Sequence, residues 1–312
     1  LGIRSIGISD ANFGILSRDV DLAKYIVDLN AFDSVFFHAA KNNKDRVMEI
    51  TKMFYEAGLT NMHLIDLQDF NDDILKNIKR FEIPWEKHLK YVYDLTQETG
   101  LKTVYVNTLL GLPGQNMSTL IADVDNFGKH NFGYSRYIKW MMLPNSPGND
   151  PAYREEFKIK TKQAYLAPFP VGVKSEVDRY FGNAAAFFED DIIRDSVTEI
   201  ITETMSFSQK DYLEMIHFVG TVYACHVNGL LTYFTHGLYH LNNINYSEFY
   251  RRFFYEFLPK ATGSIRRLHD HLTATLEKNI NKEYFMIGAE NPDFGKDFPF
   301  YSDCVFKLLG QK

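Results

Sequence analysis

A chain of 312 residues, 45% hydrophobic and 24% charged, is long enough to bury a large core and to divide into two domains. Its net charge of −6 lacks the basic field that a non-specific nucleic-acid binder needs, so no nucleic-acid partner is expected. Two cysteines, Cys225 and Cys304, exclude a disulfide framework or a Cys-rich metal centre within the chain and fit a reducing, cytoplasmic setting.

Strand patterns recur over Ile3–Ser9, Asp33–His38, Met62–Leu67, Lys102–Leu110 and Arg136–Leu143, with helical patterns between them. Ser17 is placed to cap a helix over Asp19–Leu29, and Gly58 to end one over Lys44–Ala57. Asn71 is placed to cap Asp72–Lys79. Pro84 falls in the first turn of a helix that ends at Gly100, and a further helix runs from Met117 to His130. This alternation predicts an α/β fold with a parallel sheet covered by helices. No GxGxxG follows any strand, so a curved, partly open (β/α) barrel is the better reading than a dinucleotide fold.

Two strand ends carry specialised turns: Gly111-Leu112-Pro113-Gly114 closes the fourth strand, and Leu143-Pro144-Asn145-Ser146-Pro147 closes the fifth. In barrels and open sheets the carboxyl ends of strands are where ligands bind. Glycine lets backbone amides approach a ligand, and proline sets the direction of the outgoing chain. The other strand ends are polar. Asp10 and Asn12 could serve an ammonium and a carboxylate, or form an Asx-turn into the next helix. Lys41 could pair with an anionic group, and His38 is either a rim group or a hydrogen-bonded core residue. Asp66 and Gln68 share one face by alternation, and inward polar residues at a barrel mouth are costly unless used. Asn107 either reaches into the barrel or satisfies local backbone.

Beyond Pro151 the pattern changes. Residues 166–173 read as a linker, and helices are expected over about 190–204, 208–240 and 246–280, with Ser206 to Ser208 forming a turn and cap. The boundary is placed at 165, giving a barrel over 1–165 and a helical domain over 166–312. The apolar stretch 215–239 carries His217, His226, Asn228 and His236, which fits a buried helix and not a membrane span. His236 and His240, at i and i+4 behind Cys225 and His226, have zinc-compatible spacing, but the metalloprotease pattern fails for want of its Glu. His269-Asp270-His271 reads as a solvated helix face.

Together the strand ends resemble the radical S-adenosylmethionine (radical SAM) superfamily, in the group that carries a cobalamin (B12)-binding domain. SIGISDANFGILSRD is similar to that group's second barrel strand and turn, HAAKNN to its third, and LIDLQDFNDDILKNIKR to its fourth. VYVNTLLGLPGQ is similar to the fifth strand and MMLPNSPGNDPAYREEF to the sixth. The resemblance implies a partial barrel that binds S-adenosylmethionine at its carboxyl rim beside a 4Fe-4S cluster, which cleaves the sulfonium reductively or works with cobalamin in methyl transfer. It implies that Asp10 and Asn12 meet the methionyl group and that Gln68 lies near the ribose. It sets Gly111, Pro113 and Gly114 beside the adenine, with Leu143 and Pro144 as the last strand's wall. The family's CxxxCxxC loop and cobalamin domain are not in this sequence, and the resemblance implies that both lie upstream of a carboxyl-terminal fragment. Asn107 stands where the family usually has Glu, Gln115-Asn116 where it has Glu-Thr, and Arg80-Phe81-Glu82-Ile83 where it has Arg-x-Asn-Ile. The implied function is methylation of an unreactive carbon in a small-molecule or other substrate. A cobalamin-independent radical SAM enzyme and a degenerate barrel acting as a binding module are the alternatives.

Overall fold

The computed structural model describes residues 4–40, 43–80, 85–101, 103–130, 134–165, 197–227, 229–280 and 285–286. The chain forms two compact units, Leu1–Leu109 with His130–Ile138, and Leu110–Lys129 with Lys139–Lys312.

In the first unit, strands and helices alternate as the sequence pattern requires: β1 (Ser5–Phe13), α1 (Arg18–Leu29), β2 (Ser34–Ala39), α2 (Lys44–Glu56), β3 (Met62–Asp66), α3 (Asp72–Asn77), α4 (Trp85–Thr99), β4 (Thr103–Leu110) and β5 (Tyr134–Lys139). The α5 helix (Met117–Lys129), which belongs to the second unit, lies between β4 and β5 in the chain. β1 and β2 pair in parallel, and β3, β4 and β5 form a separate three-stranded sheet in which β3 and β4 are parallel. The α/β expectation holds at this level, with the strands divided between two ladders.

Alternation along β2 sends Val35 and Phe37 inward, where they join Phe13, Ala23, Ile50, Phe54 and Leu59 between the β1–β2 pair and helices α1 and α2. Phe37 meets Phe13 and Phe54 edge-on, with ring centroids 5.8 and 5.5 Å away. Each fully buried side chain of this kind contributes about 1.5–3 kcal/mol. Helix ends follow local chemistry. The Asn43 side chain accepts from the Arg46 amide, and that of Asn71 accepts from the amides of Asp73 and Ile74. Ser17 makes no cap bond. Its expected role falls to buried Asp19, whose carboxylate accepts from the amides of Gly14 and Leu16, both at 2.9 Å.

The second unit departs from the expectation of a mostly helical tail. It holds a four-stranded sheet in the order β6-β8-β7-β9, built from β6 (Met141–Met142), β7 (Lys160–Tyr165), β8 (Val197–Glu203) and β9 (Phe285–Met286). The helix expected over 190–204 is therefore corrected to a strand over Val197–Glu203. Its β-branched run, Val197-Thr198 and Ile200-Ile201-Thr202, suits a pleated surface, and antiparallel pairing with β7 supplies the partner a lone segment lacks. The fifth expected strand is divided: β5 ends at Lys139, Trp140 intervenes, and Met141–Met142 pairs with β8.

Among the described residues the α-helices of this unit are α5, α6 (Pro151–Glu156), α7 (Gln209–Val222), α8 (Thr232–Asn242), α9 (Tyr246–Arg252) and α10 (Gly263–Ile280). The apolar stretch 215–239 is thus interrupted, with a π-helical turn over Tyr223–Val227 after α7. Among the described residues no helix is long and apolar enough to cross a membrane. Ser208 and Asp211 cap α7 reciprocally, as the Ser206–Ser208 turn predicted. The linker at 166–173 lies outside the described residues.

Candidate functional site

The polar groups expected at the carboxyl ends of the strands divide into a set the first unit brings together and a set consumed locally. Asp66 is the last residue of β3 and is in register with Asn107 of β4. The Asn107 side chain is 4% exposed, and its Nδ2 donates to Asp66 Oδ1 at 2.8 Å. The second carboxylate oxygen, Oδ2, lies 2.9 Å from Nδ1 of His38, the penultimate residue of β2. Gln68 is half-buried beside them. Its Nε2 donates to the Asp66 carbonyl at 3.4 Å, and its own carbonyl accepts from the Leu109 amide at 2.9 Å. A hydrogen-bonded line His38–Asp66–Asn107 thus runs from the ends of β2 and β3 to the middle of β4, with Gln68 at its side.

The ring of His38 packs edge-on against Phe36 at 5.1 Å, and its side chain keeps 39% exposure against 26% for Asp66. Beneath the line, buried His63 has its pKa pushed down to about 4 by burial and then by neighbouring His88. His63 therefore stays a neutral core group against Tyr91. On β1, Asp10 Oδ1 accepts from the Asn12 amide at 2.8 Å, the Asx-turn that local chemistry allows. The pairing register with β2 shifts between Ile8 and Phe13, so the strand is bulged where these residues sit. Asn12 is exposed, and its side-chain amide makes no hydrogen bond among the described residues. Gly14, at φ +98°, closes the turn where an added Cβ would stand 2.8 Å from Val47 Cγ2. Lys41 lies outside the described residues.

In the second unit the Gly111–Gly114 turn is sealed from within. Gly111 and Gly114 take φ values of +104° and +103°, which favour glycine. The amides of Gly111 and Leu112 both donate to Oε1 of fully buried Gln115, at 2.8 and 2.9 Å. The Gly114 amide donates to Ser206 Oγ at 2.9 Å, and the Gln115 amide to the Leu112 carbonyl at 3.0 Å. With Pro113 having no amide hydrogen, the turn offers a shaped surface and not free donors. Leu143 and Pro144 are exposed, and their carbonyls accept from Ser146 and Asn149 respectively.

The histidines of the helical segments do not form a metal centre among the described residues. His236 Nδ1 is 2.6 Å from the Tyr246 hydroxyl, and His226 sits 3.5 Å from Thr235 Oγ1. His269, expected on a solvated face, instead stacks on buried His217 at 4.9 Å. Burial pushes the pKa values of His217 and His226 down to about 4, each assisted by a neighbouring histidine. Burial also raises the Cys225 thiol to about 12, far from thiolate character.

The sequence alone leaves His38 and Asn107 each between a rim role and a local one, and gives Asp66 no partner. Period-two alternation, with Asp66 and Gln68 on one face, was the signal that marked this strand end. The pairing of Asp66 with residues 28 and 41 positions away is tertiary and leaves no mark in the local sequence.

No family model matches the chain. Two curated proteins do. A 2-(S-pantetheinyl)-carbapenam-3-carboxylate methyltransferase of Streptantibioticus cattleyicolor is 26% identical over 260 residues, covering 80% of this chain and 35% of that protein. The cobalamin-dependent radical SAM methyltransferase TokK of Streptomyces tokunonensis is 27% identical over 259 residues, covering 80% of this chain and 34% of that protein. The chain thus spans about a third of the length of the curated relatives it matches. Among solved structures, the radical S-adenosylmethionine methyltransferase TsrM from Kitasatospora setae, with tryptophan and aza-SAM bound, is 20% identical. That match has a TM-score of 0.38 and covers 45% of this chain and 28% of TsrM, a superposition too partial to define a common fold. By sequence, then, this chain is similar to two methyltransferases, one of them a cobalamin-dependent radical SAM enzyme, the group that its strand ends resemble.

Proposed function

We propose that this chain is part of a cobalamin-dependent radical SAM methyltransferase that acts in the cytoplasm on an unreactive carbon of a small molecule or other substrate. The first unit would supply strands of the family's partial barrel. The observation that carries the reading is the similarity to two methyltransferases across 80% of the chain, coupled to a polar line from the ends of β2 and β3 to Asn107 of β4.

The donor set of the first unit fits the polar end of S-adenosylmethionine. Asp10 carries a carboxylate suited to an ammonium, and the open Asn12 amide can donate to a carboxylate or accept from an ammonium. Gln68 would approach the ribose, and Lys41 an anionic group. In the second unit, Gly111, Pro113, Gly114, Leu143 and Pro144 keep the roles the resemblance gives them as separate proposals.

The residues do not fit the iron–sulfur cluster. Three local thiolates are needed, and this sequence has two cysteines, one of them the buried Cys225. A 4Fe-4S cluster working beside this rim would draw its thiolates from outside these residues, and nothing in the first unit is assigned to cobalamin. When bound, these groups would supply the one-electron and methyl-carrier chemistry, leaving orientation and electrostatics to this chain.

Calorimetric titration with S-adenosylhomocysteine tests the reading. Asn12→Ala is expected to weaken binding by about 1–3 kcal/mol, the cost of unpairing a hydrogen bond to a charged group, while His240→Ala leaves affinity unchanged. Absence of binding to the wild-type protein would overturn the proposal. Undiminished affinity in Asn12→Ala would remove that residue from the site.

A further inference from the structure

We infer that His38, Asp66 and Asn107 form a proton-accepting relay, in which His38 Nε2 takes a proton from an N–H, O–H or S–H group of a substrate bound at this rim. The inference rests on reading the rim as a ligand-binding edge and adds to it a chemical demand on the substrate, an acidic heteroatom hydrogen.

The argument begins with what each group can do. An ionised carboxylate only accepts hydrogen bonds. Asp66 Oδ1 is held by the Asn107 amide at 2.8 Å, which fixes the plane of the carboxylate. Oδ2 therefore accepts from His38 Nδ1 at 2.9 Å, so the ring hydrogen of the neutral imidazole resides on Nδ1 and the Nε2 lone pair is left open. Asp66 and Phe36 are the partners of the His38 ring among the described residues, and neither occupies Nε2.

A histidine kept only for packing would resemble the others of this chain. His63 and His226 are buried beside hydroxyl groups and have no carboxylate at hydrogen-bond distance, an environment that disfavours the imidazolium. His38 is built the opposite way. Its side chain is 39% exposed, and a carboxylate lies at hydrogen-bond distance from Nδ1. On transfer, the substrate X–H bond breaks heterolytically and the electron pair stays on X. A new N–H bond forms at Nε2, and the imidazolium charge is met by Asp66. This is the arrangement of base and orienting carboxylate that makes histidine an effective proton acceptor.

Two measurements on the intact chain decide it. In the first, ¹⁵N-labelled histidine is read by long-range ¹H–¹⁵N correlation near neutral pH, with the His38 signals assigned by their loss in His38→Gln. The expected result is a hydrogen on Nδ1 and a lone pair on Nε2. A hydrogen on Nε2, or averaging between the two nitrogens, overturns the relay, and the tautomer itself is read in the unaltered protein. In the second, acylation by diethyl pyrocarbonate is followed by peptide mass mapping. Asp66→Asn is expected to slow acylation of His38 by about tenfold, because the ring loses the carboxylate that orients it and meets its charge, while exposed His240 reacts at its former rate. Equal His38 rates in the two proteins would overturn the inference. Failure of the underlying site reading shows differently, as absent S-adenosylhomocysteine binding.

Discussion

Histidines occupy both compact units in unlike company. At the ends of β2 and β3, His38 is half-exposed against a carboxylate that Asn107 holds in place. In the second unit, His217 and His226 are buried among rings and hydroxyls, stacked or tilted against His269 and His236. The first setting accommodates a positive charge, and the second excludes one. Side-chain type alone therefore says little about where chemistry lies; the partner and the access to solvent decide.

The strongest way to break this comparison is acid. His63, His217 and His226 fall from a pKa of 6.5 to about 4 on folding. Above pH 6.5 all three are neutral whether folded or not, so they place no slope on stability. As pH drops from 6.5 toward 4 the unfolded chain gains protons that the folded chain refuses, and stability falls, by about 3 kcal/mol for each at most. Urea melts at pH 7 and pH 4.5 are expected to show a clearly lower midpoint at the acid value, with a flatter dependence in His217→Leu. A midpoint that does not move would show that these rings are not excluded from charge.

Packing in the second unit can be probed next. An added Cβ at Gly128 of α5 would lie 2.3 Å from the Tyr246 ring, so Gly128→Ala is expected to cost about 3 kcal/mol despite alanine's better helix propensity. Gln115→Ala is expected to cost somewhat less, about 2 kcal/mol, because it strands the buried amides of Gly111 and Leu112. Its thermal melt should therefore fall between those of Gly128→Ala and wild type. The smallest effect has the opposite sign. Gly237 in α8 has open space around its Cβ position, so Gly237→Ala is expected to stabilise by about 0.5–1 kcal/mol in a denaturant melt. Equal behaviour of the Gly128 and Gly237 variants would mean that helix propensity, not close aromatic contact, governs this unit.

Much of the first unit was legible because its signals are local. Asn71 caps α3 through its side chain, and Gly58 follows α2 at φ +71°, each where short-range stereochemistry put it. β8 was not legible as a strand. Its segment, DDIIRDSVTEIITETM, spaces charges compatibly with a helix, and only pairing with β7 resolves the ambiguity in favour of its β-branched residues. At the rim, the sequence placed Asn107 and Gln68 at strand ends, but the Asp66 carboxylate acquires its meaning only when β2 and β4 arrive on either side of it. The turn Gly111–Gly114 was legible as a turn, whereas the occupation of its amides by Gln115 and Ser206 required the fold.

One consequence of the strand arrangement concerns exchange with solvent. β2 and β3 belong to different ladders among the described residues, yet the His38–Asp66 contact joins them. At one end of that seam the Val35 amide donates to the Leu59 carbonyl at 2.8 Å, and at the other the link is the side-chain contact of His38 with Asp66. Amides whose partners lie across a ladder open only when the ladder does, while those beside a seam can open with the loss of one side-chain contact. Deuterium uptake should therefore begin along the facing edges of β2 and β3. A molecule that grips His38, Asp66 and Asn107 together would slow it, so occupancy of the rim would be recorded along the whole length of both strands and not only at the residues that touch what is bound.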